Sequence, residues 1–256
     1  MDRILKRKIL QICKYNLNAP GGIENVAKVI HLGLSDKCHV VSLSFKRDRM
    51  QAICDQEVSK KINFRFKNQP ISFGYLIYLI KTVRSFDHVI YHHPNPFAMI
   101  ALLIFLKPGV KLSVFWHSDI LKGRFLGLLM KPLEKATLSY ADNIIFTSKS
   151  YLDASYIKPH LKNDRATVLP LGTAEPVSEH VHRGSISQPI KLIFIGRLEP
   201  YKGVLEMLDE LNLTEQEVDL TIVGDGSLLE KVFEKSEILK NNIKVQVLTN
   251  LNNEEK

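Results

Sequence analysis

The sequence has few cysteines and no long apolar segment, and both absences exclude classes of protein. The 256 residues contain three cysteines, Cys13, Cys38 and Cys54. Because their number is odd and no CxxC spacing occurs, neither a disulfide framework nor a zinc site is indicated, and a reducing compartment is favoured. The longest apolar run, Phe97–Leu106, is shorter than the roughly 20 residues that cross a bilayer. The chain is therefore predicted to be cytoplasmic and not to span the membrane.

Several catalytic and nucleotide-binding signatures are also missing. No P-loop, HExxH or G-x-S-x-G motif occurs, and the G-x-G-x-x-G fingerprint lacks its third glycine. These motifs carry the chemistry of P-loop nucleotidases, zinc proteases and α/β-hydrolases. The sequence therefore indicates none of these three classes, and it carries no motif for a resident cofactor.

Positive charges outnumber negative ones, but the excess is unevenly distributed along the chain. The net charge is +8, made up of +13 in residues 1–183 and −5 in residues 184–256. This asymmetry indicates two units with different partners. For the basic unit we expect an anionic membrane surface or a polyanionic substrate. Nucleic acid is not favoured, because the basic residues are dispersed and no motif of stacking aromatics accompanies them.

Short apolar runs rich in β-branched and aromatic residues alternate with helical patterns in the first part of the chain. The predicted strands are 8–13, 39–45, 62–66, 88–93, 111–116 and 143–148. The predicted crossover helices are 23–34, 73–83, 97–106 and 125–140. This alternation is typical of an α/β fold with a doubly wound parallel sheet.

The alternation stops in residues 171–189, which have two prolines and no periodicity, and then restarts. We predict a first Rossmann-like domain over 1–176, a linker over 177–189 and a second Rossmann-like domain over 190–256. The second domain has predicted strands at 190–196, 218–224 and 243–248, separated by helices at 203–211 and 227–239. Three strands make half a Rossmann unit, so the second domain is predicted to be incomplete.

Two candidate binding stretches follow strands of the first domain. In "NAPGGIE", Gly21 and Gly22 allow close approach of the backbone to a ligand, and the start of the next helix favours an anion. The alternative is a tight turn only. In "FWHSDI", His117 can hydrogen-bond a ligand and shift its charge near neutral pH. The alternative is that Ser118 or Asp119 caps the next helix while His117 fills the edge of the sheet.

Two more candidates follow strands of the second domain. In "FIGRLEPYKG", Arg197 and Lys202 flank the turn that begins at Gly196, beside the start of a helix. Two cations and a helix N-terminus suit a diphosphate. The alternative is a solvated charge pair with Glu199. The second glycine turn, "VGDGSLLEK", provides four further candidate binding residues: Gly224, Asp225, Gly226 and Ser227.

Taken in order, these stretches resemble the motifs of the retaining GT-B glycosyltransferases of family 4, in the variant that builds bacterial surface polysaccharide or lipopolysaccharide. The resemblance covers nearly the whole chain: "GGIE", "YHHPNP", "HSDI", "YADNIIFTSKSY", "VLPLG", "GRLEPYKG" and "IVGDGSLLEK". It implies transfer of a sugar from a nucleotide-diphospho-sugar to a lipid-linked or saccharide acceptor, with retention at the anomeric carbon and without a metal ion.

The resemblance also implies a role for each candidate. The Gly21–Gly22 turn would lie at the donor phosphate, and His117 would contact the donor sugar. Arg197 and Lys202 would hold the diphosphate and neutralise it as it leaves. The residues 224–227 and Gly196 would lie near the nucleotide.

One departure from the family follows from the same resemblance. A Glu-x7-Glu motif and the closing helices of the second domain would lie beyond Lys256, so the chain is expected to be C-terminally truncated. The alternatives to an active transferase are therefore an inactive remnant or a binding module that does not catalyse. A nucleotide-binding regulator is supported only by the generic sheet.

The stretch 120–131, "ILKGRFLGLLMK", mixes cations with large apolar residues. It predicts either a core helix with solvated cations or an interfacial helix that would make the protein peripheral on the inner face of the cell membrane.

Overall fold

The computed structural model describes residues 6–46, 51–66, 69–119, 124–161, 164–172 and 189–249, without the side chains of 124–129. The chain divides into two compact units, Met1–Ala174 and Glu175–Lys256. The predicted linker 177–189 lies almost wholly outside the described residues, so its boundaries stay a prediction. Within the described ranges, no helix has the length and apolarity needed to cross a membrane.

Unit 1 contains one large sheet and five α-helices in its described part. Its strands are β1 (Lys8–Tyr15), β2 (His39–Phe45), β3 (Glu57–Lys60), β4 (Phe64–Phe66), β5 (Gln69–Ile71), β6 (His88–His93), β7 (Lys111–Trp116), β8 (Asn143–Phe146) and β9 (Ala166–Val168). Its helices are α1 (Gly22–Ser35), α2 (Phe73–Thr82), α3 (Pro96–Phe105), α4 (Arg124–Tyr140) and α5 (Lys149–Ala154).

The large sheet is parallel, and its strand order is β3-β2-β1-β6-β7-β8-β9. The chain starts in the middle with β1, moves outward to β3, and returns to place β6 on the other side of β1. Ile9 accordingly lies between Val40 and His88. Such a reversal of strand order between β1 and β6 opens a crevice beyond the carboxyl ends of the two strands, where ligands of open α/β sheets bind.

Side chains on the two faces of the sheet pack against different helices. Successive residues of a strand point to opposite faces. Leu10 and Ile12 join the main core, which includes Tyr75 of α2, Met99 of α3 and Leu138 of α4. On the opposite face, a smaller apolar cluster packs against α1; its members are Ile9, Val40, Ile90 and Phe115, with Ile30 and Leu34 from the helix. Helices therefore cover both faces, as a doubly wound sheet requires.

The "HHPNP" segment ends β6 and begins α3. The side chain of Asn95 caps α3 by accepting a hydrogen bond from the backbone N–H of Ala98. Pro96 occupies the first turn of the helix, where a missing N–H costs nothing. The two prolines thus define the boundary, while His92 and His93 remain inside the strand and are buried.

The predicted strand 62–66 differs from the structure. Only Phe64–Phe66 is a strand, and it pairs with β5 as a separate antiparallel hairpin. All three residues of β4 are exposed, so the segment cannot be part of a sheet that is covered on both faces. The edge position beside β2 is occupied instead by β3, whose sequence "EVSK" has no apolar run.

Unit 2 has a smaller parallel sheet, whose described strands run in the order β10-β11-β12. Its elements are β10 (Ile190–Ile195), α6 (Val204–Leu211), β11 (Val218–Val223), α7 (Leu229–Glu237) and β12 (Ile243–Leu248). Leu208 of α6 and Val232 of α7 are fully buried against Leu220 and Ile222 of β11. Two Rossmann-like units in succession, the second with the smaller sheet, confirm the predicted fold class.

Candidate functional site

Two glycine turns follow β10 and β11 in unit 2 and cross each other with their backbones in contact. A Cβ atom on Gly224 would lie 1.8 Å from the carbonyl oxygen of Gly196. A Cβ atom on Gly226 would lie 2.4 Å from the carbonyl oxygen of Leu198. Only glycine allows this approach, and it brings backbone donors and acceptors together: the Leu198 N–H donates to the Asp225 carbonyl at 2.9 Å.

Leu198 anchors the crossing from inside. Its side chain is fully buried, and its carbonyl accepts a hydrogen bond from the Leu228 N–H at 2.9 Å. On the solvent side, the Ser227 hydroxyl donates to a carboxylate oxygen of Glu199 at 3.0 Å. The turn 196–199 and the turn 224–228 are therefore held together by backbone, apolar and side-chain contacts.

Arg197 and Lys202 both lie beside the ring of Tyr201. The Arg197 guanidinium donates to the Tyr201 hydroxyl at 2.7 Å. The Arg197 Cζ and the Lys202 Nζ lie 5.8 and 5.6 Å from the centre of the ring. All three side chains are exposed. The expected alternative, an ion pair of either cation with Glu199, is not found among the described residues, where Glu199 accepts a hydrogen bond from Ser227.

The positive potential of this turn has a second source. Lys202 ends a short 3-10 turn over Pro200–Lys202, and α6 begins at Val204 directly afterwards. The first N–H groups of a helix carry partial positive charge, which adds to that of the two cations. An exposed guanidinium, an ammonium and a helix start close together favour a ligand with more than one negative charge, such as a diphosphate.

In unit 1, the candidate turn at Gly21 and Gly22 lies at the start of α1. Gly21 is the N-cap residue and provides no side-chain hydrogen bond to the helix. Both glycines are exposed, and a Cβ atom on Gly22 would meet nothing within 4 Å. The N-cap residue thus leaves the first-turn amides of α1 without a capping side-chain bond, but a Cβ atom on Gly21 would lie 2.0 Å from a carboxylate oxygen of Glu24, so an acidic side chain lies beside this helix start.

His117 follows β7 and lies at the same sheet edge as the glycine turn, because the two follow strands separated only by β6. Its Nε2 lies 2.8 Å from Nδ1 of His92. Burial, with a smaller contribution from His93, lowers the pKa of His117 to about 4. The interpretation that His117 changes charge near neutral pH is therefore contradicted, and the ring is neutral at pH 7.

Asp119 has a structural role that the sequence did not indicate. Its Oδ1 accepts hydrogen bonds from Trp116 Nε1 at 2.7 Å, from the Ser155 hydroxyl at 2.8 Å and from the Tyr151 hydroxyl at 3.2 Å. The carboxylate therefore ties the end of β7 to α5. Whether Ser118 or Asp119 caps a following helix depends on residues 120–123, which lie outside the described residues. That alternative therefore stays a prediction.

The structure groups the predicted residues within each unit. Unit 2 brings Gly196 into contact with the turn 224–227 and places Arg197 and Lys202 beside the ring of Tyr201, whereas unit 1 places Gly21, Gly22 and His117 along one sheet edge. The sequence reasoning missed Tyr201, although it lies between the two cations in "EPYKG". It also missed Gln11 and His92, whose side-chain nitrogens lie 3.2 Å apart and lead to His117. The signal for Gln11 was a polar residue in the middle of an apolar strand.

Two Rossmann-like units in succession, with glycine turns and cations at the carboxyl ends of their strands, define the GT-B class. The family model for Glycosyltransferase Family 4 matches residues 20–174, and that for glycosyl transferases group 1 matches residues 178–256. The chain belongs to glycosyltransferase family 4.

Two curated relatives match most of the chain. It is 26% identical over 232 residues to O-antigen chain mannosyltransferase C of Escherichia coli, covering 86% of this chain and 62% of that protein. It is 30% identical over 188 residues to D-rhamnosyltransferase WbpZ of Pseudomonas aeruginosa, covering 68% of this chain and 48% of that protein. The chain thus spans about half to three fifths of the length of these relatives.

A solved structure with a similar fold is that of Anabaena Alr3699/HepE in complex with UDP and glucose. The TM-score is 0.65 at 16% sequence identity, over 94% of this chain and 69% of that one. At this level of identity the likeness concerns the fold alone.

Proposed function

We propose that the protein is a glycosyltransferase that moves a sugar from a nucleotide-diphospho-sugar to a lipid-linked or saccharide acceptor in bacterial surface polysaccharide synthesis. The observation that carries the proposal is the pair of exposed cations, Arg197 and Lys202, around Tyr201 beside the crossed glycine turns. The family membership and the names of the two relatives, an O-antigen mannosyltransferase and a rhamnosyltransferase, support the same reaction class.

In this proposal, each predicted residue has a defined task. Arg197 and Lys202 bind the diphosphate and stabilise the charge that develops on it as the glycosidic bond breaks. The fixed positive charge of these two side chains would replace the metal ion that other transferases use to neutralise the diphosphate. The turn 224–227 and Gly196 lie along the nucleotide, and the Gly21–Gly22 turn offers the amides of α1 to phosphate. His117 hydrogen-bonds the donor sugar. Retention at the anomeric carbon is part of the proposal through the family resemblance.

The test of the diphosphate site is binding of nucleoside diphosphates, measured by titration calorimetry. Replacing Arg197 or Lys202 by Ala should weaken binding by about 1.5–3 kcal/mol, the range for hydrogen bonds to charged groups. Lys191→Ala is the matched control, because Lys191 is exposed on β10 and lies near the opposite end of the strand. Unchanged affinity in both site variants would refute the assignment. Binding without any sugar transfer would favour the alternative of a binding module that does not catalyse.

We further propose that unit 1 associates with the inner face of the cell membrane, where a lipid-linked acceptor would be found. The excess of basic residues in 1–183 supports this, as do Phe64 and Phe73, which are more than half exposed and have their ring centres 6.3 Å apart. Most of the candidate interfacial helix 120–131 lies outside the described residues and side chains. Anionic vesicles should bind the protein more tightly than neutral ones, with a loss of about 1 kcal/mol per basic residue removed. Equal binding to both would refute the electrostatic contribution.

A further inference from the structure

Three polar side chains form a row across the middle strands of the unit 1 sheet, on the face that α1 covers. Gln11 Nε2 of β1 lies 3.2 Å from His92 Nε2 of β6, and His92 Nδ1 lies 2.8 Å from His117 Nε2. Gln11 and His92 are almost completely buried, at 0% and 1% exposure. The row runs directly below the crevice between β1 and β6, so it connects the interior of the sheet to the candidate sugar-binding residue.

The orientation of the Gln11 amide is fixed by the backbone of α1. The amide atom assigned as Nε2 lies 2.7 Å from the Ala27 carbonyl oxygen. Only a donor can occupy that place, because two carbonyl oxygens at this distance would repel each other. One amide hydrogen therefore points to Ala27. The other faces His92 Nε2 at 3.2 Å and the Cys13 sulfur at 3.7 Å, and the imidazole nitrogen is the stronger acceptor of the two. The Gln11 Oε1 atom is buried and has no partner among the described residues, which is a cost that an apolar residue here would avoid.

The Gln11 donor determines which nitrogen of His92 carries the proton. A neutral imidazole has one donor nitrogen and one acceptor nitrogen. Because His92 Nε2 accepts from Gln11, its proton must be on Nδ1. Burial holds the pKa of His92 well below its usual value, so the ring stays neutral. The His92 Nδ1–H then donates to His117, and the proton of the neutral His117 ring must be on Nδ1 in turn.

The ring geometry agrees with this chain of donors. The planes of His92 and His117 are within 12° of each other, and the ring centres are 5.2 Å apart. With 2.8 Å between the two nitrogens, these values require the nitrogens to point at each other, edge to edge. The second nitrogen of His117, Nδ1, has no hydrogen-bond partner among the described residues.

We propose that Gln11 and His92 are positioning residues that hold His117 as a neutral ring with its Nδ1–H directed outward. His117 is thus a hydrogen-bond donor for an oxygen atom of the ligand, and it is not available as a proton acceptor. A second proton on Nε2 of His117 would face the Nδ1–H of His92. If the His92 proton moved to Nε2 to relieve that contact, the new N–H would face the amide hydrogen of Gln11. The identity of the ligand as a nucleotide-diphospho-sugar rests on the proposed function, whereas the proton positions do not.

The proton positions can be measured without a ligand. In protein labelled with nitrogen-15 in its histidines, two-bond nitrogen–proton correlation spectra distinguish an Nδ1–H ring from an Nε2–H ring. We expect Nδ1–H at both His92 and His117, with His117→Asn and His92→Asn used for assignment. An Nε2–H ring at His117 in the wild-type protein would overturn the proposal.

The role of Gln11 is tested by Gln11→Glu. The oxygen that replaces Nε2 has at most one hydrogen, which the Ala27 carbonyl requires, so a lone pair faces His92. We expect the single proton of the neutral His92 ring to move from Nδ1 to Nε2, so that Nδ1 becomes an acceptor and His117 carries its proton on Nε2. Gln11→Met, which has a similar shape and no donor, should leave both rings without a single fixed proton position. Ser42→Ala is the matched control, because Ser42 bonds the buried His31 instead and should leave His117 unchanged. An unchanged His117 in both Gln11 variants would overturn the proposal.

A functional readout separates this proposal from the proposed function. GDP-mannose and UDP-glucose serve as probes, each compared with its nucleoside diphosphate. For the nucleotide sugar that binds, Gln11→Glu should lower the affinity roughly 3- to 10-fold, the loss of one hydrogen bond, and leave the affinity for the diphosphate unchanged. Equal losses for both ligands would contradict a sugar-directed role. If no nucleotide binds, the proposed function fails while the histidine spectra still decide the proton positions.

Discussion

The crossing of the two glycine turns in unit 2 makes a sharp prediction for Gly224→Ala. The added Cβ would lie 1.8 Å from the Gly196 carbonyl oxygen, whereas real Cβ atoms essentially never approach closer than 3.0 Å. The turns must therefore separate by more than an ångström. The contact joins the new Cβ atom to a backbone carbonyl oxygen. Neither atom moves when a side chain changes its rotamer, so a rotamer change cannot relieve the contact.

The cost of that separation can be estimated from the contacts it breaks. The Gly196 N–H donates to the Val223 carbonyl at 3.0 Å, and the Leu198 N–H donates to the Asp225 carbonyl at 2.9 Å. Each such bond contributes about 0.5–1.5 kcal/mol, and overpacking adds about 1–3 kcal/mol. We therefore expect Gly224→Ala to lower the stability of unit 2 by about 2–6 kcal/mol.

Hydrogen exchange of the amides in β10, β11 and β12 measures this loss in unit 2 alone. Gly196→Ala is the matched control, because its Cβ would contact only the Phe194 ring at 3.7 Å, an ordinary van der Waals distance. Protection should fall strongly in Gly224→Ala and stay near the wild-type level in Gly196→Ala. Equal protection in Gly224→Ala and the wild type would refute the crossing of the turns.

Two further predictions concern the charged turn and the buried histidines. Tyr201→Phe removes the hydrogen bond from Arg197 but keeps the ring between the two cations, so it should weaken nucleoside diphosphate binding less than Tyr201→Ala in calorimetry. For the histidines, burial lowers the folded-state pKa of His92 and His117 below the unfolded value of about 6.5. The unfolded state then binds more protons, so stability is fully present above pH ~6.5 and falls towards pH ~4 by up to about 1.4 kcal/mol per unit for each histidine. Urea denaturation of the full chain across this range checks the slope, and a flat profile in unit 1 would contradict the burial of these rings.

The sequence was sufficient to predict the elements whose burial leaves a periodic pattern. β2, β6, β7 and β12 begin and end at the predicted residues, because each is an apolar run with polar boundaries. β3 was missed, because "EVSK" sits at the edge of the sheet and buries little beyond Glu57. The short helix α5 was missed as well, since six residues are too few for a helical period.

For the candidate site, the sequence predicted residue types but not the contacts between them. Glycines and cations after strands are visible as motifs, so Arg197 and Lys202 could be proposed from spacing. The contact of both cations with Tyr201 depends on the fold of the turn. The buried row through Gln11 and His92 joins residues 81 positions apart, and such a pairing is set by the strand order and register of the sheet.

The chain's one tryptophan, Trp116, ends β7 and lies beside His93, which ends β6. Its indole ring is stacked on His93 with the ring centres 3.7 Å apart, and its N–H is bonded to Asp119. His93 itself lies 3.2 Å from the buried carboxylate of Glu134. A protonated imidazole quenches indole emission far more than a neutral one does. When indole is excited selectively over the eight tyrosines, the emission comes from a single side chain, Trp116, which is stacked on His93. Emission intensity during an acid titration would therefore follow the protonation of His93 without any introduced label.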